Sequence, residues 1–263
     1  MEKESLFKIL KQDVRFEEGL NACMNCGVCT AICPAAEFYN YDPRKIVDMV
    51  QTRNNEIILD LLKSETIWYC GQCMSCKTRC PRGNTPGSII MVLRLLSQRL
   101  GYFVESEKGR QQFAIKRTVG DNILNHGYCV PAYAVDPDKH PEQGPVWEHI
   151  YNNLEHMIAR AGGELNGKEG PMRRIGPEVI QELKNIFEVT GGQDVYDTIE
   201  KYSKKKAAEM GFEFKPYGTD CEYFDHVFTY DSGCHFCDSI IEEEYETGGQ
   251  EKNMEGIPEG YSR

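Results

Sequence analysis

Apolar residues recur along this chain at intervals of three and four, the spacing of one helix face, and the breaks between stripes carry proline, glycine or asparagine. The pattern predicts an all-α chain. Ser5-Leu-Phe-Lys-Ile-Leu10 and a charged stretch ending at Gly19-Leu20 form a lead-in, with a helix just before Cys23. Asp42-Pro43 has the form of an N-cap followed by proline in the first turn, and Ile46, Val47, Met49 and Val50 follow at helical spacing. Asn54-Asn55 marks a break, after which Glu56 to Lys63 reads as a short helix buried on most sides. Thr85-Pro86 opens a further helix that runs to about Leu100, with Gly101 in the capping position.

The second half continues in the same style. Gln111 to Asn125 reads as one helix ending near Gly127, followed by a loop containing Pro137, His140, Pro141 and Pro145. Val146 to Ala161 reads as a single helix with Trp147, Ile150, Leu154, Met157 and Ile158 on one face. Residues 163–175 read as a flexible linker. Pro177 starts a helix striped with Val179, Leu183, Ile186 and Phe187, and a last helix runs from about Asp194 to Met210 before Gly211. The expected organisation is residues 1–105, a helical extension over 106–211, and an acidic, mostly irregular tail over 212–263.

Charge sharpens this division. The net charge is −11, yet residues 218–263 hold twelve acids against two bases and residues 71–118 hold nine bases against two acids. An acidic chain with no recognisable nucleic-acid module argues against a nucleic-acid partner. No window reaches the run of about 18 apolar residues that a membrane span needs. The nearest approach, Ile89 to Leu100, is interrupted by Arg94 and Arg99. The chain opens Met-Glu-Lys-Glu with no apolar signal segment, so the expected location is cytoplasmic.

Eight of the twelve cysteines fall in two runs of the form C-x2-C-x2-C-x3-C-P: Cys23, Cys26, Cys29 and Cys33 before Pro34, and Cys70, Cys73, Cys76 and Cys80 before Pro81. Three thiolates at intervals of three can meet three corners of one cubane, while the fourth, just too far along, reaches the other cluster. The expected ligand sets are Cys23, Cys26, Cys29 and Cys80 for one [4Fe–4S] cluster and Cys70, Cys73, Cys76 and Cys33 for the second. Zinc would leave the third and fourth cysteines of each run unused, and disulfides suit secreted chains. Lys77, Arg79 and Arg82 either offset the clusters' negative charge or form an ordinary solvated basic face. Phe38, Tyr39, Trp68 and Tyr69 are expected to pack around the clusters, and Gly27 and Gly71 to admit backbone N–H groups to the sulfurs.

Two such runs bracketing a helical pair resemble the α-helical ferredoxin domain over roughly residues 15–105. Cys-Met-Asn-Cys-Gly-Val-Cys near the start is most similar to the C subunit of heterodisulfide reductase. The resemblance implies two [4Fe–4S] clusters and an electron-transfer role between a flavoprotein partner (A-type) and a catalytic, disulfide-active partner (B-type). The residues beyond the short form of that family lean toward a variant complex, in methanogenic or sulfur-oxidising metabolism. The same domain type serves succinate, fumarate, glycerol-3-phosphate and 2-hydroxy-acid dehydrogenases, where the succinate type would carry a further N-terminal cluster domain. A third reading is an iron–sulfur redox sensor.

The remaining cysteines carry a weaker signal. Cys221, Cys234 and Cys237 with His226 or His235 could make a small zinc site; alternatively they are reduced thiols in an aromatic arm (Tyr217, Tyr223, Phe224, Phe228, Tyr230) that docks on a partner. Cys129 reads as a buried thiol, and His149 and His156, a heptad apart, as a surface pair. No G-x-G-x-x-G follows a strand and no phosphate-binding loop is present, so flavin, nicotinamide and ATP are not expected on this chain, nor is a catalytic residue assigned.

Overall fold

The computed structural model describes residues 5–140 and 143–229, and among these every regular element is helical. The lead-in forms two short helices, α1 (Leu6–Lys11) and α2 (Val14–Gly19), the second capped by the Asp13 carboxylate accepting from the Arg15 N–H. α3 (Val28–Ala31) and α4 (Ala35–Phe38) are single turns that carry the first cysteine run. α5 (Pro43–Gln51) starts where the Asp-Pro signal places it: the Asp42 carboxylate accepts from the Arg44 and Lys45 amides, two of the donors a helix start leaves orphaned. α6 (Asn55–Lys63) is capped by Asn54 and buries Ile58, Leu61 and Leu62, while Ile57 and Leu59 are only partly covered.

After α7 (Ser75–Arg79), which carries the second run, comes the centre of the molecule, α8 (Pro86–Leu100). Ile89, Ile90, Val92, Leu93 and Leu96 lie on more than one face of α8, and α8 accordingly packs against α1, α2, α5, α6 and α7. Ser97, fully buried among them, donates to the Leu62 carbonyl at 2.7 Å, so its hydroxyl does not go unsatisfied. The helix stops at Gly101, whose φ of +77° is the left-handed turn a C-terminal cap requires.

The second half departs from the expected segmentation in three places. α9 (Glu107–Ile115) begins earlier than Gln111, because the Ser106 hydroxyl caps it by accepting from the Gly109 N–H at 3.0 Å. It then widens through a π turn, Lys116–Gly120, into α10 (Asp121–His126). The expected helix over 146–161 is two, α11 (Gly144–Asn152) and α12 (Leu154–Arg160). At the break the Asn153 side-chain amide donates to the His149 carbonyl at 2.9 Å, offering the backbone an alternative partner. His149 and His156 therefore sit on different helices, both exposed. Residues 163–175 fold back on themselves rather than run as a free linker: Asn166 N–H donates to Met172 O at 3.0 Å and Arg174 N–H to Gly167 O at 2.9 Å.

α13 (Pro177–Val189) and α14 (Gly192–Met210) form a helical pair, and α14 returns to pack on α8 and α9. Arg117, 4% exposed, fastens this layer. It donates to both Glu200 oxygens at 2.7 Å and to the carbonyls of Gly218 (2.6 Å) and Lys215 (3.1 Å). The described part of the tail packs on this layer. α15 (Glu222–Thr229) buries Tyr223, Phe224 and Val227, and both rings meet Phe113 of α9, with centroids 5.4 and 6.3 Å away. These two aromatics complete the chain's own core, while Tyr217 is exposed and Tyr230 lies outside the described residues.

Candidate metal centres

The two cysteine runs adopt the same backbone. In each, the second and fourth residues after the leading cysteine have positive φ: Asn25 (58°) and Gly27 (83°) in the first, Gln72 (54°) and Met74 (59°) in the second. A one-turn helix follows each fourth residue, α3 after Gly27 and α7 after Met74. Alternating left-handed residues curl the loop so that successive amides and thiols point to a common centre, the geometry of an anion-binding nest. Gly27 is one of these left-handed residues and Gly71 is not; the position in the second run that corresponds to Gly27 is the non-glycine Met74. A non-glycine residue held there carries strain of about 1–2 kcal/mol, which packing must offset. Gly87 on α8 supplies the room: a methyl group on it would lie 3.2 Å from Met74 Sδ and 3.6 Å from Cys76 Sγ.

The runs are brought together, and their thiols gather across run boundaries. One cavity, of about 340 Å³, is lined by Cys29, Cys33, Cys70, Cys73 and Cys76, so Cys29 faces both cavities. A tighter one, about 20 Å³, is lined by Cys23, Cys26, Cys29 and Cys80. All eight cysteines are free thiols, with Cys26 and Cys73 exposed and the other six partly buried. Burial pushes the Cys29 thiol up to about 11, and the neighbouring Cys23 and Cys76 add to this. Cys33 is raised by burial and by Cys70 and Cys73 of the other run, against the amides of Ala35 and Ala36. Cys76 is raised by burial and opposed by the Gly87 amide, whereas the Ser75 hydroxyl, 3.4 Å away, lowers Cys73. Gathering thiolates this closely is unfavourable without a cation, so the donor set fits metal whose binding releases the protons. Soft thiolates in fours fit iron–sulfur clusters or zinc, and not a hard, oxygen-seeking ion.

The surrounding helices hold the loops in register. Cys23 N–H donates to Gln51 Oε1 at 2.9 Å, Asn21 N–H to Asn84 Oδ1 at 2.7 Å, and Asn84 N–H to Cys80 Sγ at 3.3 Å. Tyr39 stacks on Tyr69 with centroids 4.5 Å apart, and both line the larger cavity with Phe38. Trp68 is one layer further in, buried beneath the Arg94 guanidinium 5.4 Å from its ring. Lys77 and Arg79 are exposed on α7, while Arg82 and Arg44 line the smaller cavity.

Two residues went unrecognised in the sequence. Tyr41 is 4% exposed, lines the larger cavity, and has a buried hydroxyl with no nitrogen or oxygen partner; it lies beside the Cys70 sulfur. Arg94, half-buried on α8, donates to Ile67 O at 2.6 Å and Cys70 O at 2.7 Å. Burial lowers the guanidinium from its usual value, and negative charge at Cys70 partly offsets this. The legible signal was a lone arginine amid the apolar run of α8.

The tail residues do not assemble a site among those described. Cys221 is 3% exposed, and His226 stacks on Phe212 and lies 3.4 Å from Glu107. Cys234, His235 and Cys237 lie outside the described residues, and among the described ones, the cysteine runs included, no three His, Cys, Asp or Glu side chains group as ligands of a single metal ion. Cys129, expected to be buried, is exposed, because Gly127 ends α10 with φ +75° and turns the chain onto the surface. Among the described residues no helix is long and apolar enough to cross a membrane.

Comparison with known proteins agrees with this geometry. Residues 19–84 match the family described as 4Fe-4S dicluster domain, so the cofactors are two [4Fe–4S] clusters. The C subunit of the ferredoxin:CoB–CoM heterodisulfide reductase of Methanosarcina acetivorans is 33% identical over 212 residues, covering 80% of this chain and 77% of the relative. The C subunit of the H2:CoB–CoM heterodisulfide,ferredoxin reductase of Methanothermobacter marburgensis is 28% identical over 66% of this chain and 76% of its own. An iron–sulfur C subunit (form 2) of the CoB–CoM heterodisulfide reductase of Methanocaldococcus jannaschii is 32% identical over 47% of this chain and 59% of its own. The Methanosarcina match spans similar shares of both chains, so the added length is no reason to set this protein apart as a variant.

Proposed function

Because the chain belongs to the family of heterodisulfide reductase C subunits, we propose that it is the electron-transfer subunit of a cytoplasmic heterodisulfide reductase-type complex, relaying electrons between a flavoprotein and a thiol/disulfide-active catalytic partner. The relatives are named for the CoB–CoM heterodisulfide, and a disulfide of that kind is the terminal acceptor this reading assigns. The observation that carries it is the crossing of the runs at the two cavities. Cys33 lines the cavity of Cys70, Cys73 and Cys76, and Cys80 that of Cys23, Cys26 and Cys29. We assign these as the two ligand sets. Bound there, the clusters supply one-electron chemistry at adjacent sites. The chain's own part is to hold eight thiolates, direct amides of Asn84, Gly87, Ala35 and Ala36 at sulfur, and exclude water with Tyr39 and Tyr69.

Each cavity also has an exposed apolar residue at its mouth, Met24 (62% exposed) on one and Phe38 (45%) on the other. Separate mouths suit separate partners, one delivering and one withdrawing electrons.

The test is anaerobic iron and sulfide analysis with EPR after reduction, for the parent chain and for Cys33→Ser and Cys80→Ser. About eight irons are expected in the parent, with each variant altering a different one of the two cluster signals. Cys33→Ser altering the signal that Cys23→Ser alters would reject the crossed assignment. Failure of the tagged chain to co-purify with a flavoprotein, or of that flavoprotein to reduce its clusters, would reject the relay.

A further inference from the structure

We propose that the second half of the chain holds a binding site for an organic phosphate, in the cleft formed by the end of α10, the folded-back loop of residues 163–175 and the first turns of α13. The cleft has a volume of about 590 Å³, within the range of about 300–1,000 Å³ that small-molecule sites occupy. It shares no residue with the cysteine cavities, so it stands or falls separately from the cluster assignment.

The charge of its lining is of one sign. Arg173, Arg174, Lys184 and His126 line it, and no aspartate or glutamate does. Among the described residues the two arginines and the lysine form no ion pair. Glu178 of α13 lies against Gly176, which borders the neighbouring hollow and not this one. The hollow over the π turn has the ordinary, balanced arrangement: Lys116 and Arg117 are matched there by Asp121 and Glu200 in ion pairs of 2.7–2.9 Å. Like charges gathered at one concave surface repel each other, and a dianion between them removes the repulsion.

The walls are set before a ligand arrives. The Tyr128 hydroxyl donates to Arg173 O at 2.8 Å, and Arg174 N–H donates to Gly167 O at 2.9 Å, so the backbone of the arginine pair is pinned both to the end of α10 and to its own loop. Gly127, where α10 stops, allows the close approach: a methyl group there would lie 2.8 Å from Ile175. Guanidinium groups offer paired N–H donors to an oxyanion and a lysine offers a point charge, which suits phosphate. Tyr128, Tyr133, Met172, Ile175 and Ile180 supply an aromatic and aliphatic wall for the body that carries it. The arginines and the lysine are exposed, so salt screens their charge and the wall must add to the affinity.

The experiment is anaerobic isothermal titration calorimetry of the cluster-loaded full chain at physiological salt in a phosphate-free buffer. The probes are phenyl phosphate, phenol, inorganic phosphate and hexaglutamate. Phenyl phosphate is expected to bind at one site with a Kd below about 1 mM, roughly tenfold more tightly than inorganic phosphate and far more tightly than phenol. Arg174→Gln and Lys184→Gln should each weaken it roughly tenfold. Lys168→Gln, which removes an equal charge from the adjacent hollow, should change it by less than about twofold. All three side chains are exposed, so the variants keep the fold. No binding of phenyl phosphate, equal affinity for phenol or for inorganic phosphate, or equal weakening by Lys168→Gln would overturn the proposal. Tighter binding of hexaglutamate than of phenyl phosphate would overturn it in favour of docking by an acidic peptide.

Discussion

Glu200→Gln tests whether the second half is fastened through its buried arginine. Arg117 has a side chain only 1% exposed and gives two hydrogen bonds, each 2.7 Å, to the Glu200 carboxylate. Breaking a buried pair by removing one charge is destabilising by about 3–5 kcal/mol. Glu200 is 23% exposed, a glutamine can still accept one of the two bonds, and Arg117 keeps its carbonyl partners at Gly218 and Lys215. These reduce the expected loss to about 2–3 kcal/mol. The pH dependence follows from the same contacts. Burial pushes the Glu200 carboxyl up, but bonding to Arg117 and Lys116 outweighs it and holds the group below its ordinary value of 4.5. The pair's stabilisation is therefore fully present above about pH 4.5 and lost as pH falls through the lower folded value. The assay is urea unfolding of the cluster-loaded chain by far-ultraviolet circular dichroism, at neutral and acid pH. A loss under about 0.5 kcal/mol at neutral pH, or a difference from the parent that grows on acidification, would refute the reasoning.

Gly109→Ala should be destabilising by about 3 kcal/mol or more, because its methyl would overlap the Phe103 carbonyl oxygen and the Ser106 capping hydroxyl; thermal unfolding checks this. Gly27→Ala meets no neighbour within 4 Å, so its penalty should be only the about 1–2 kcal/mol of a left-handed residue, with both clusters retained on iron analysis.

The parts of the fold that announce themselves locally were legible. Asp42-Pro43, Thr85-Pro86 and Gly101 mark helix ends because capping is settled within four residues. The dicluster character of residues 19–84 was legible because the cysteine spacing is the chemistry. Features decided by competition or by distant contacts were not. Asn153 breaks a continuous apolar stripe through one side-chain bond to His149. Tyr223 and Phe224 looked like an arm waiting for a partner because nothing nearby in sequence predicts Phe113 as their neighbour. Met74 occupies a backbone conformation that sequence would assign to glycine, and the reason lies on α8, at Gly87.

The proposed crossed assignment would make the prosthetic groups structural fasteners as well as conductors. On the assigned ligands, each cluster ties residues 23–33 to residues 70–80 and closes a loop around α5 and α6. A permanent tie across a loop of roughly forty to fifty residues restricts the unfolded chain by about 4 kcal/mol. On that proposed assignment each run lends a ligand to both clusters, so oxidative loss of one would free a thiol in the opposite run and slacken the loop that grips the other. Damage by oxygen would then spread from one centre to the next, and the chain would lose its rigidity and its conductivity together.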